Sequence, residues 1–161
     1  MNHPIIFLDI DGVLNTDMMC TAHPSALHPK LMKRLANLIT ATSSHLVISS
    51  TWRRDLNYLE VLYEHLQKVG LDKDEIIKGF TPVFSSLDNT RKPGEKREAL
   101  RIREIASYLS SNPTTSPMVV IDDLDLKEVE EVTNAKFIKS NPESGLSERN
   151  VEEAVLHLRG E

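Results

Sequence analysis

Short apolar runs along this chain alternate with longer stretches in which apolar residues recur every three or four positions. The two periods belong to strands and helices respectively. Ile5 to Leu8 is an unbroken apolar run and predicts a buried strand. Leu31, Leu35, Leu38 and Ile39 then share one helical face, with Pro29 in a first turn where its missing N–H has no partner to lose, so a helix is expected from His28 to Ala41. Leu46 to Ile48 predicts a second strand. Leu56, Leu59, Leu62, Tyr63, Leu66 and Val69 return to helical spacing, closed by Gly70 at a C-terminal cap position.

Further along, Ile76-Ile77 seeds a minor strand, and Asp88 to Gly94, carrying Asn, Pro and Gly, is expected as an exposed loop. Ile102, Ile105, Ala106 and Leu109 mark a helix from Glu95 to Leu109, which the segment Asn112 to Pro117 breaks. Met118 to Ile121 is four apolar residues between a proline-containing turn and two acids, and it predicts a central buried strand. A weaker strand at Lys136 to Ile138 precedes a last helix, with Ser147 as N-cap and Val151, Ala154, Val155 and Leu158 as its buried stripe.

Strands alternating with helices predict a parallel sheet covered on both faces, a three-layer α/β/α Rossmann-like fold. Right-handed crossovers then align the C-terminal ends of the strands along one edge, where such sheets bind ligands. A chain of 161 residues, 40% hydrophobic, fills one core and is short for two, so one domain over residues 1–161 is expected. The segment Asn15 to His28 has no room for a separate cap and reads as a flap, which leaves little or no cap domain and an open site.

Each apolar strand ends in polar residues of a specific kind. The first runs into Asp9-Ile10-Asp11-Gly12, the second into Ser49-Ser50-Thr51-Trp52-Arg53, and the central one into Asp122-Asp123. Four carboxylates at one sheet edge repel one another and raise some of their pKa values unless a cation neutralises them. Mg²⁺ is the expected cation, because this hard ion accepts carboxylate, carbonyl, water and phosphate oxygens. Asp9, Asp11, Asp122 and Asp123 are its candidate ligands, with the direct ligand of the last pair left open. With phosphate charge offset, Asp9 is placed to attack phosphorus as nucleophile. Asp11 is placed to protonate the leaving alcohol and then to deprotonate a water.

Asp9-Ile10-Asp11-Gly12-Val13-Leu14 resembles the first motif of the haloacid dehalogenase (HAD) superfamily of phosphatases. Ser49 matches the superfamily's strand-end hydroxyl that binds the phosphoryl group, with Ser50 as a neighbouring competitor, and Asp122-Asp123 match its acidic metal motif. More narrowly, Phe7 to Asn15, Leu46 to Arg53, Arg101-x-x-Glu104-Ile105, Val120 to Asp123 and Gly145-Leu146 are similar to compact members associated with RNA-repair proteins. In that alignment Arg101 stands where the superfamily carries a phosphate-binding lysine, while Arg91, Lys92, Lys96 and Arg97 remain rival basic groups. The resemblance implies a single HAD-like domain that hydrolyses a phosphomonoester with Mg²⁺ through an aspartyl phosphate. A phospho-accepting receiver module also gathers acids at a parallel sheet edge. It carries the paired acids first and the acceptor on a later strand, the reverse of the order here.

The net charge of −5 gives no footprint of a general nucleic-acid binder, and no sequence-specific nucleic-acid binding is expected. An open site instead points to a bulky phosphorylated substrate, either a polynucleotide end or a phosphoprotein. Cys20 is the single cysteine and fits a reducing compartment. The apolar run before Asp9 is too short for a signal peptide or a membrane span, so a cytoplasmic protein without membrane attachment is expected, monomeric by default. Trp52 reads as core rather than a base-stacking platform, Arg53 equally as a phosphate contact or a surface charge, and His23 and His28 as solvated flap residues.

Overall fold

In the computed structural model, which describes residues 2–161, strand β1 (Ile5–Leu8) is followed by a short helix α1 (Asp17–Ala22), helix α2 (Pro29–Thr42) and strand β2 (His45–Ile48). A 3-10 turn at Thr51–Arg54 leads into α3 (Leu56–Lys68), α4 (Lys73–Ile76) and β3 (Ile77–Phe80). Then come α5 (Arg97–Ser111), β4 (Met118–Asp122), α6 (Val129–Val132), β5 (Lys136–Lys139) and α7 (Glu148–Leu158). The strands form one all-parallel sheet in the order β3-β2-β1-β4-β5. This is the Rossmann-like α/β arrangement that the alternating periods predict. Among the described residues no helix is long and apolar enough to cross a membrane.

The unbroken apolar runs of the inner strands come from having helices on both sides. Successive side chains point to opposite faces of a strand. Ile6, Leu8, Leu46, Ile48, Val119 and Ile121 join one core with residues of α2, α3 and α7. Phe7, Val47, Val120 and Phe137 join a second with Ile102 and Ile105 of α5 and Val129 of α6. Because neither face meets water, neither can carry a polar alternation.

Several boundaries differ from those the sequence predicts, each for a local reason. β4 is interior, yet the middle of the sheet belongs to β1. α5 begins at Arg97 rather than Glu95, because the Glu95 carboxylate is engaged by the loop and by Arg103, accepting from Lys92 N at 3.2 Å and from Arg103 Nη2 at 2.8 Å. α1 buries none of its residues, so no apolar stripe announces it. β3 extends to Phe80 through Lys78 and Gly79, since this edge strand pairs only with β2 and is half exposed. Gly79 is needed there: a Cβ would lie 2.7 Å from the Tyr108 hydroxyl.

Candidate active site

Lateral hydrogen bonds continue just past the strands. Ser49 N donates to Leu8 O at 2.9 Å, Asp9 N to Ile121 O at 3.0 Å, and Ser140 N to Asp122 O at 3.0 Å. They set Ser49, Asp9, Asp122 and Ser140 side by side along the C-terminal edge. Alternation then decides which way these residues face. Val47, Phe7 and Val120 point toward α5, so Ser49, Asp9 and Asp122, two residues on, lie on the same side. Arg101, Glu104 and Ile105 form the buried face of α5 that meets them.

Carboxylate oxygens of Asp9, Asp122 and Asp123 lie within 4.8 Å of one another. Arg101 Nη1 sits 2.7 Å from Asp122 Oδ2 and 3.4 Å from Asp9 Oδ1. Burial holds the Asp9 carboxyl well above the usual carboxylate range, and Asp122 pushes the same way while Arg101 partly offsets both. Burial also raises Asp122, against the opposing pull of Arg101 and of the Leu124 N–H. For Arg101, burial alone would favour the neutral form, but Asp9 and Asp122 outweigh it and raise its pKa. Three acids with one guanidinium leave negative charge in excess in a buried pocket. The donor set is all oxygen and matches a hard divalent ion such as Mg²⁺.

The packing of Asp123 depends on Gly12, whose φ is +80°. A Cβ there would fall 2.5 Å from Asp123 Oδ2, and only glycine adopts that backbone without penalty. Ser140 Oγ closes the same turn by donating to Gly12 O at 2.7 Å.

Of the four acids brought to this edge by the sequence, Asp11 stands outside the cluster of three. Its Oδ1 accepts from Asn15 Nδ2 at 2.8 Å and from Trp52 Nε1 at 3.0 Å, with the Cys20 thiol at 3.7 Å. It lines a cavity of about 320 Å³ together with Cys20, Thr51, Trp52 and Tyr58. Burial, and then Asp11, push the Cys20 thiol up to about 11.

The two serines separate cleanly. Ser50 Oγ accepts from Trp52 N at 3.1 Å and caps the 3-10 turn. Ser49 Oγ is buried with no hydrogen-bond partner among the described residues. A buried hydroxyl without a partner forfeits about 1–3 kcal/mol unless a ligand fills the vacancy. Arg53 is neither a surface charge nor a free phosphate contact. Its guanidinium donates to Thr81 O at 2.9 Å, Ser50 O at 2.7 Å, Pro82 O at 3.0 Å and Glu104 Oε2 at 2.8 Å. Among the described residues, no ion pair joins Arg91, Lys92, Lys96 or Arg97 to the acid cluster. His28 is the N-cap of α2 and His23 the C-cap of α1.

The roles of Trp52, Asn15 and Ser140 are not visible in the sequence reading. Trp52 lies in the core as its sequence context predicts, but its N–H also reaches across 41 residues of chain to Asp11. No local spacing encodes that contact. Asn15 does carry a signal, since it lies four residues after Asp11 in the same turn.

No curated protein and no solved structure gives a significant match to this chain. The family described as "HAD domain in Swiss Army Knife RNA repair proteins" matches residues 5–151, which takes in β1 through the start of α7 and every acid of the cluster. The chain therefore belongs to that family of compact HAD domains, and with it to the phosphatase-like HAD superfamily.

Proposed function

We propose that the chain is a Mg²⁺-dependent phosphomonoester hydrolase that works as a single domain over residues 1–161, with Asp9 as nucleophile. The observation that carries this is the buried meeting of Asp9, Asp122 and Asp123 beside Arg101. A bound cation relieves such excess negative charge. Asp9, Asp122 and Asp123 would hold Mg²⁺, which supplies neutralisation of phosphoryl charge during transfer. The Asp11 carboxylate, committed to Trp52 and Asn15, is left for proton transfer rather than for direct ligation.

In the first half-reaction an Asp9 oxygen attacks phosphorus while the bond to the leaving oxygen breaks. Asp11 gives its proton to that oxygen, and Trp52 and Asn15 fix the direction of the transfer. The Ser49 hydroxyl, which has no other partner among the described residues, donates to a phosphoryl oxygen. In the second half-reaction Asp11 takes a proton from water, the water oxygen attacks phosphorus, and the bond from Asp9 to phosphorus breaks to free inorganic phosphate.

With α1 and its flanking turns as the whole of the insert between β1 and α2, the site has little cover. A large substrate is therefore admitted. The family's place among RNA repair proteins favours a phosphorylated polynucleotide end over a phosphoprotein. The test is release of phosphate from p-nitrophenyl phosphate. Turnover is expected with Mg²⁺, not with excess EDTA, and not in Asp9→Asn, whereas Asp11→Asn retains metal binding and turns over slowly. Undiminished activity of Asp9→Asn would sink the proposal.

A further inference from the structure

A groove of about 370 Å³ opens outward from the catalytic edge, between residues 83–91 and the first turns of α5. Arg101, which pairs with Asp9 and Asp122, is one of its lining residues, and Thr51 lines both it and the cavity beside Asp11, so groove and catalytic centre adjoin. Arg53, Arg54, Arg91, Arg97 and Arg101 line it, with Glu104 as the lone acid. Two of these arginines are already paired: Arg101 with Asp9 and Asp122, and Arg53 with Glu104, which in turn neutralises that acid. Among the described residues Arg54, Arg91 and Arg97 have no ion-pair partner.

Three exposed guanidinium groups without ion-pair partners flank one groove in a chain whose net charge is −5, and of these Arg91 donates to Glu95 O at 3.1 Å. Guanidinium is also the side chain best suited to phosphate, with planar, paired donors and weak hydration. The spacing is informative. Arg97 precedes Arg101 by four residues on the same face of α5, a displacement of about 6 Å along the axis at about 1.5 Å per residue. That is comparable to the step from one phosphate to the next along an extended nucleotide chain.

We propose that this groove binds a second phosphate group of the substrate, with Arg54, Arg91 and Arg97 as its ligands, outward of the phosphoryl group that Asp9 removes. The inference rests on the phosphatase reading and adds a specificity site to it. The second phosphate comes either from the next internucleotide link of a polynucleotide or from a second monoester on a small molecule.

Binding by the full chain carrying Asp9→Asn, measured by titration calorimetry in Mg²⁺, distinguishes these sources without turnover. The probes are adenosine 5′-monophosphate, adenosine 3′,5′-bisphosphate and a 5′-phosphorylated trinucleotide. At least one of the latter two is expected to bind about tenfold more tightly than the monophosphate, the size of one charge-assisted contact. An advantage confined to the trinucleotide identifies the internucleotide phosphate, and one shared with the bisphosphate identifies any second phosphate. Adding Arg54→Ala and Arg97→Ala should abolish the advantage and leave monophosphate affinity unchanged. The groove assignment is overturned if neither probe gains over the monophosphate or if the gain survives both substitutions. Hydrolysis of p-nitrophenyl phosphate by the otherwise native chain, with and without Arg54→Ala and Arg97→Ala, is expected to be equal. Its absence in the native chain would count against the phosphatase reading while the binding comparison still judges the groove.

Discussion

Removing either member of the Arg53–Glu104 pair should destabilise the protein far more than removing both. The two side chains are 4% and 5% exposed and meet at 2.8 Å. Burial pulls the Arg53 pKa down and Glu104 partly restores it. Glu104→Leu strands a buried guanidinium and also deprives Phe84 N of its acceptor at 2.9 Å. Breaking a buried pair from one side costs about 3–5 kcal/mol, a large part of the roughly 5–15 kcal/mol that keeps a domain folded. Arg53→Met should cost a similar amount by leaving the Glu104 carboxylate buried alone. In the double variant Arg53→Met with Glu104→Leu no charge is left unpaired, so its stability should exceed that of either single variant, which requires an interaction energy larger than the loss of about 3–5 kcal/mol in one of them. Urea unfolding of the four proteins measures this. Losses that simply add within about 0.5 kcal/mol would show that the two charges are not coupled. Arg53 also holds the Ser50 carbonyl and, at 3.4 Å, that of Ser49, so Arg53→Met should slow turnover as well.

Trp52→Phe keeps the buried ring and deletes the donor to Asp11. It should lower kcat about tenfold with little change in KM, as expected for one lost charge-assisted hydrogen bond of about 1.5 kcal/mol, and an unchanged kcat would remove Trp52 from the positioning of Asp11. Gly12→Ala should cost about 1–2 kcal/mol from its left-handed backbone. Because it also drives into Asp123, it should weaken Mg²⁺ binding in calorimetry far more than it lowers the melting temperature. The rate of Cys20 alkylation should keep climbing toward pH 11 rather than level off near the ordinary thiol value of 9.0. In Asp11→Asn the midpoint should fall, but not to 9.0, since burial is the larger cause. With the folded pKa raised, stability contributed by Cys20 is fully present below pH 9 and declines as pH rises toward 11, measurable by denaturation at the two ends of that window.

The sheet is legible in the sequence because β1, β2 and β4 are apolar on both faces and each ends abruptly in polar residues. Position along a strand translates directly into position along one edge. Asp9, Ser49 and Asp122 can be grouped on that ground alone. Joining Asp11 to them relies on proximity in sequence, and in the structure its carboxylate lies outside the cluster of three. The Gly12 turn sends the two carboxylates to different surroundings, and the partners of Asp11 come from distant or unpatterned positions, Trp52 and Cys20. Arg53 is ambiguous for a related reason. Its partner Glu104 lies on another helix, and an arginine a few residues past a strand end looks the same in sequence whether it ties loops together or meets a ligand. Short helices such as α1 and α6 escape periodicity altogether, because they complete too few turns to show a stripe.

Whether Asp9 becomes phosphorylated is the question that bears hardest on the proposed chemistry. Quenching during turnover of p-nitrophenyl phosphate, reducing with borohydride and mapping peptides by mass spectrometry reports acyl phosphates as homoserine. Conversion at position 9, dependent on both Mg²⁺ and substrate and absent in Asp122→Asn, is the predicted result. An unmodified Asp9 in protein that is visibly releasing phosphate, or a phosphoryl group recovered on Ser49 instead, would rule out an aspartyl phosphate at this site.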